Sequence, residues 1–197
     1  MATNRDTIFG LKAVDHALSP GTTGRVRKYV VPAADGTALF IGDAVKTYGT
    51  ADATTGLSTV IQAAAGDAIR GVVVGFDPVD GVTIANTNLS RTYRLASTRM
   101  VVHVNDDPYT IFEIQEDGEV ATLALADMGE NADLIVAAGS TSTGLSGMEL
   151  DSSTHNTTSA QLRTIDFVQR PDNVPASQWA KVRVIINEHE LKSTTGV

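Results

Sequence analysis

The chain has no cysteine. That excludes disulfide staples and thiolate metal sites, so stability must come from burial and backbone pairing. Aromatic side chains are sparse, at 5% of residues, and Trp179 is the sole tryptophan. Positive charge is also scarce: 15 Lys and Arg stand against 23 Asp and Glu, for a net charge of −8. With that acidity spread along the sequence there is no electrostatic footprint for a phosphate backbone, and nucleic acid is not an expected partner. No stretch approaches the ~20 consecutive apolar residues of a membrane span. Met1 to Asp6 lacks the apolar run and small-residue cleavage site of a secretory signal, so the expectation is a soluble protein made in a cytoplasm, with no membrane partner.

What is present is a globular composition. Of 197 residues, 42% are apolar and 19% charged, enough to build a core and too apolar for wholesale disorder. From Arg25 onward, short β-prone runs alternate with Gly, Asp, Asn and Pro, the pattern of an all-β sandwich or barrel. The expected strands are Arg25 to Val31, Ala38 to Ile41, Ala44 to Tyr48, Ser58 to Ala63, Ile69 to Phe76 and Arg91 to Leu95. Further along come Met100 to Asn105, Tyr109 to Gln115, Val120 to Leu125, Gln161 to Gln169 and Trp179 to Asn187. Phe112 and Ile114 alternate with Glu113 and Gln115, as Val182, Val184 and Ile186 do with Lys181 and Arg183; each strand should bury one face. The run Gly71-Val72-Val73-Val74-Gly75-Phe76 is apolar on both sides and belongs at the centre of the core. The fold expectation is a single-domain jelly-roll or barrel-like β-sandwich spanning 25–197.

Three segments depart from that pattern. Residues 1–24 carry scattered apolar positions, Ile8, Phe9, Leu11, Val14 and Leu18, ahead of the breaker cluster Ser19-Pro20-Gly21. They read as an N-terminal arm that anchors the protein to a partner while the β domain folds without it. Gly139 to Ala160 is a 22-residue stretch holding 11 Ser or Thr and three Gly. It is too long for an ordinary connection and suits contact with a neighbouring subunit, with Leu145, Met148 and Leu150 its main apolar residues. Asp127 to Ile135, with Asp127 and Glu130 near its start, is the one helical candidate.

Residues that could carry chemistry do not group. His16, His103, His155 and His189 are far apart, and none forms a metal-binding pair at i, i+4. His103-Val104-Asn105-Asp106-Asp107-Pro108 gathers acid, base and oxygen ligands, but Asn-Asp-Asp-Pro is turn chemistry, in which Asx side chains satisfy local backbone groups and proline presets φ. Glu188-His189-Glu190 reads as a solvated chain end. Neither Gly71 to Gly75 nor Gly144-Leu145-Ser146-Gly147 has the spacing and lysine of a phosphate loop, and the latter misses the nucleophile elbow by one position. No catalytic, cofactor or metal site is expected, and no enzyme.

Several strings taken together resemble the structural cement (head decoration) proteins of tailed bacteriophages: LFIGDAV at Leu39 to Val45, IRGVVVGFDPV at Ile69 to Val79 and VNDDPYTIFEIQED at Val104 to Asp117. DMGENADLI at Asp127 to Ile135, LDSSTHNTT at Leu150 to Thr158 and the VIINEH ending of Val182 to His189 extend the resemblance in the same order along most of the chain. It implies a β-rich fold forming small homo-oligomers on the outer surface of the icosahedral shell. There it would clamp major capsid protein subunits against the pressure of packaged DNA, many symmetric copies multiplying a modest affinity per contact. On that reading the partners are the major capsid protein and a second copy of the chain, as a homodimer or alternatively a homotrimer. The expected capsid contacts are Ile8, Phe9, Leu11, Val14, Leu18, Leu145, Met148 and Leu150. A tail or baseplate protein and a carbohydrate-binding β-module are the alternatives, the latter weakened by the shortage of aromatic platforms.

Overall fold

The computed structural model describes residues 4–77, 92–119 and 123–193. Twelve strands follow in order: β1 Lys12–His16, β2 Val26–Val31, β3 Ala44–Ala51, β4 Ser58–Gln62, β5 Gly71–Phe76, β6 Met100–Asn105, β7 Thr110–Gln115, β8 Asn131–Ala132, β9 Leu134–Ile135, β10 Glu149–Leu150, β11 Leu162–Phe167 and β12 Lys181–Ile186. Only three short 3-10 turns accompany them among the described residues. The protein is all-β.

Five strands close into a barrel in the order β2-β4-β3-β5-β6, and five more form a sheet in the order β1-β7-β12-β11-β8. The barrel closes through a single parallel register, Val30 opposite Thr59; its other pairings are antiparallel. Closure removes the free edges along which sheets associate at random. β9 and β10 pair separately.

β5 explains how the two parts join. Its side chains alternate across the strand. Val73 points into the barrel with Tyr29, Val31, Val45, Val60 and Val102, whereas Val72 belongs to a second core with Ala44, Ile69, Phe112, Ile114 and Val184. The all-apolar run is therefore a strand with a core on each side. A register shift between Val73 and Gly75 leaves Val74 partly exposed on the surface. On β7 and β12 the alternating apolar residues Phe112, Ile114, Val182, Val184 and Ile186 are buried, as their period of two requires.

The expected strands at Ala38 to Ile41 and Arg91 to Leu95 reduce to isolated bridges, Leu39 with Arg94 and Ile41 with Leu145; Arg91 and the first half of the expected strand at Val120 to Leu125 lie outside the described residues. Four further expectations need correction. Residues 4–24 are not a detached arm. β1 pairs with β7, from Lys12 opposite Glu113 to His16 opposite Thr110, and Leu11 is buried in the second core. Asp127 to Ile135 is no helix: a 3-10 turn ends at Asp127, and β8 and β9 follow. In that segment Gly129 sits at φ +98°, a conformation that breaks a helix. The Gly139 to Ala160 stretch contains β10 and a 3-10 turn at Ser152–Thr154. Met148 and Leu150 are fully buried, 0% exposed, in the protein's own core, so the contact role assigned to them is withdrawn. Glu188-His189-Glu190 is not a solvated end either. His189 bridges Ile69, and Glu190 accepts the Thr47 N–H at 2.8 Å, tying the end of β12 to the barrel.

Candidate functional site

Four chain segments meet at two glycines. Leu11 N–H donates to Gly42 O at 3.0 Å, Gly42 N–H to Val73 O at 2.8 Å, and Ser146 N–H to Ile41 O at 2.8 Å. Gly10 and Gly42 have φ of +70° and +95°. A Cβ at Gly10 would lie 2.4 Å from Ser146 Cβ, and one at Gly42 would lie 2.6 Å from Phe9 O. Only glycine fits either position, on conformation and on space. Beneath the crossing, Asp43 accepts from the Phe40 N–H at 2.9 Å and the Gln62 amide at 3.1 Å. Burial pushes its carboxyl up to about 6, against the hydrogen bonds from Ser146, Phe40 and Gln62.

Residues flanking the crossing, Phe9, Leu11, Ile41 and Leu145, line a groove of about 580 Å³ between the barrel and the first strand of the sheet. Its accessible apolar lining comes from Phe9, Ile41, Val74 and Leu145, beside Leu11 and Val73, whose side chains are buried in the two cores, and its charged rim from Lys12, Glu113, Arg170 and Lys181. Arg170 and Glu113 close one side of the rim with paired bonds of 2.7 and 3.0 Å. Among the described residues β1 ends the sheet, and one side of it carries no partner strand. A register shift between Ala13 and Asp15 kinks this edge, a device that discourages indiscriminate strand pairing.

Of the eight sequence-derived contact residues, the fold brings Phe9, Leu11 and Leu145 together in this groove. Ile8 and Leu18 stay exposed, and Val14 is half-buried on β1. Ile41 and Val74 belong to the same surface, but in sequence they are indistinguishable from core strand residues.

The polar constellations resolve into structure. Asn105 Oδ1 accepts from Thr110 Oγ1 at 3.1 Å, Asp107 Oδ1 accepts the Tyr109 N–H at 3.1 Å, and Thr110 N–H closes the turn on Asp107 O at 3.2 Å. Asp106 is buried, taking the Tyr29 hydroxyl at 2.6 Å and Arg27 at 3.0 Å. His16 approaches Asp107 at 3.2 Å through Nε2 while Nδ1 accepts the Leu18 and Ser19 N–H groups. That leaves no lone pair to activate a serine, so the His-Asp pair is not a nucleophile relay. One metal-type grouping is present among the described residues, Asp127 with Glu130 and His155. No helix among them is long and apolar enough to cross a membrane. No protein-family model, curated protein or solved structure matches the chain.

Proposed function

We propose that the protein is a cement protein of a tailed-phage head, bound to the outer surface of the icosahedral capsid, where it stabilises the shell by clamping major capsid protein subunits. The observation that carries this reading is the groove, in which Phe9 from the first 24 residues meets Leu145 from the Ser/Thr-rich stretch beside the edge strand β1. An apolar segment of a capsid subunit laid in it would bury aliphatic surface at roughly 25 cal/mol per Å² and satisfy backbone groups along β1. The segments that resemble cement proteins supply the scaffold around it: the Leu39 to Val45 turn holds the glycine crossing, Ile69 to Phe76 is the two-sided strand, and Val104 to Asp117 is the β6-β7 connection. A closed barrel backed by a sheet is stiff, which suits a clamp under load. Self-assembly as a homodimer, or a homotrimer, would present several grooves at one symmetry axis and raise avidity without new contacts.

The test is co-sedimentation of the full chain with purified phage heads from which the protein has been stripped. The wild type pellets with heads at saturating, symmetry-related copy number and raises their resistance to heat. Phe9→Asp and Leu145→Asp, whose side chains are half-buried at the groove, stay in the supernatant while keeping the wild-type circular dichroism spectrum. Failure of the wild type to bind heads, or its recovery with tails, would overturn the reading.

A further inference from the structure

Asp127, Glu130 and His155 bring two carboxylates and an imidazole together, with ligand atoms all within 4.8 Å of one another. They are held by backbone pairing. Asp127 ends the 3-10 turn Leu125–Asp127, and its Oδ2 accepts the Ala124 N–H at 2.6 Å. Glu130 precedes β8, and His155 follows the 3-10 turn Ser152–Thr154. Asn131 and Asn156, the next residue after each, exchange two backbone bonds of 2.8 Å. Thr164 Oγ1 on β11 takes the Gly129 N–H at 3.0 Å and lies 2.9 Å from Glu130 O.

The orientation of the imidazole is a separate observation. His155 Nδ1 lies 2.7 Å from Ser152 O. A carbonyl oxygen only accepts, so Nδ1 carries the proton, and in the neutral ring the lone pair is on Nε2. Nε2 faces Asp127 Oδ2 across 3.8 Å, beyond hydrogen-bond range. Two carboxylates grouped with this imidazole favour a positive charge between them, which a bound cation or a second ring proton would supply. Among the described residues no Lys or Arg forms an ion pair with Asp127 or Glu130. Histidines that ligate metals characteristically donate the other ring N–H to a backbone carbonyl in this way.

We propose that Asp127, Glu130 and His155 bind one divalent transition cation, with zinc the best match, through one nitrogen and two carboxylate groups, leaving further positions for water. An imidazole ligand favours zinc over calcium or magnesium, which take oxygen donors. The ion would staple the two 3-10 turns over β8, the short strand at the far end of the sheet from β1. The site is thus separate from the groove and independent of the capsid reading. Sequence spacing could not show it, because His155 reaches Asp127 only through the fold.

The test is titration calorimetry of the chelator-treated full chain with zinc chloride, with cobalt absorption as a second readout of coordination. The expected result is one zinc per chain, a melting temperature raised by zinc and not by magnesium, and a cobalt visible band. His155→Ala and Asp127→Asn should each weaken zinc by at least ~100-fold, since loss of mere outer-shell partners already costs 10–100-fold. Glu130→Gln gives a second route should either variant melt differently from metal-free wild type. Absence of saturable zinc binding at submillimolar concentration overturns the proposal. So does binding unchanged in all three variants, which would point to His103 beside Asp77 or His16 beside Asp107.

Discussion

Asn4 and Val174 hold each other by two hydrogen bonds: the Val174 N–H reaches Asn4 Oδ1 at 2.6 Å, and Asn4 Nδ2 returns to Val174 O at 2.9 Å. The same amide also reaches Gln178 O at 3.0 Å, so one side chain near the start of the chain organises the turn that leads into β12. Thr7 N–H on Gln115 Oε1 at 2.9 Å continues the stitching. The first residues therefore help to hold the sheet together, and they present the groove only because they are fixed in it.

Removal of residues 1–24 should accordingly lower the melting temperature substantially. It strips β1 from β7 and Leu11 from the core, a side chain whose burial alone contributes roughly 1.5–3 kcal/mol. Asn4→Ala isolates the clamp and should cost about 1–2 kcal/mol, or several degrees in differential scanning calorimetry for a chain of this size. A truncated chain that melts with the full-length protein would restore the detached-arm picture.

How much of this was legible in the sequence depends on how residues were read. β5, β7 and β12 were legible because their periodicity reflects one or two buried faces, and Val72 beside Val73 is that signal at its plainest. β1 was not: its register shift breaks the alternation, and Gly10 with the Ser19-Pro20-Gly21 cluster resembles the punctuation of a free arm. Met148 and Leu150 sit among serines and threonines and read as loop apolars, yet Leu150 pairs with β9 and both are buried in the core. In the candidate site, Phe9 and Leu145 could be singled out as apolar residues in odd surroundings. Ile41 and Val74 could not, since nothing local separates a groove wall from a strand interior.

Stability should peak on the acid side of neutrality. Glu116 is 0% exposed, and neither of its carboxylate oxygens has a hydrogen-bond partner. Burial pushes it up to about 7, against the nearby amides of Trp179, Ala180 and Leu123 and with Asp117 adding repulsion. An acid whose pKa is raised on folding binds its proton more tightly in the native state. Stability therefore falls as pH rises from about 4.5 to about 7, by roughly 3 kcal/mol at ~1.4 kcal/mol per pH unit; Asp43 acts in the same direction. His189 works from the other side: burial, then Lys192 and Arg70, hold it down to about 4, so its contribution is lost as pH drops from 6.5 through 4. Glu116→Gln should flatten the decline between pH 5 and 7.5 in thermal melts. An unchanged slope would mean that Glu116 finds a counter-charge in solution.

Arg94 is 0% exposed and spends all five N–H donors. Nε reaches Thr98 O at 2.7 Å, NH1 serves Asp35 Oδ2 at 2.9 Å and Thr37 O, and NH2 serves Pro32 O and Asp35 O at 2.9 Å each. This fork fixes the turn after β2 against Leu39, which bridges Arg94 through the backbone. Lysine has three donors on one atom and cannot reproduce that geometry. Arg94→Lys should cost about 3–5 kcal/mol by leaving buried acceptors unpaired, measurable as a shifted urea midpoint. A change below ~1 kcal/mol would show that water fills the fork.

Two glycines separate backbone conformation from packing. Gly21 sits at φ +86° with nothing within 4 Å of a built Cβ, whereas at Gly10, φ +70°, the same atom would meet Ser146 Cβ and Gly42 O. The Gly21 N–H bond to Asp15 Oδ1 at 2.9 Å survives an alanine, so Gly21→Ala should cost only the left-handed backbone penalty, roughly 1–2 kcal/mol. Gly10→Ala carries that penalty and also drives the Phe9 segment off Gly42, with no flexible side-chain end available to yield, so its cost should exceed that of Gly21→Ala at least twofold. It should also weaken head binding beyond what the lost stability explains, because the groove lining is displaced with it. Equal melting temperatures for the two variants would mean that the crossing relaxes freely, and the groove would then be a pliable surface rather than a preformed one.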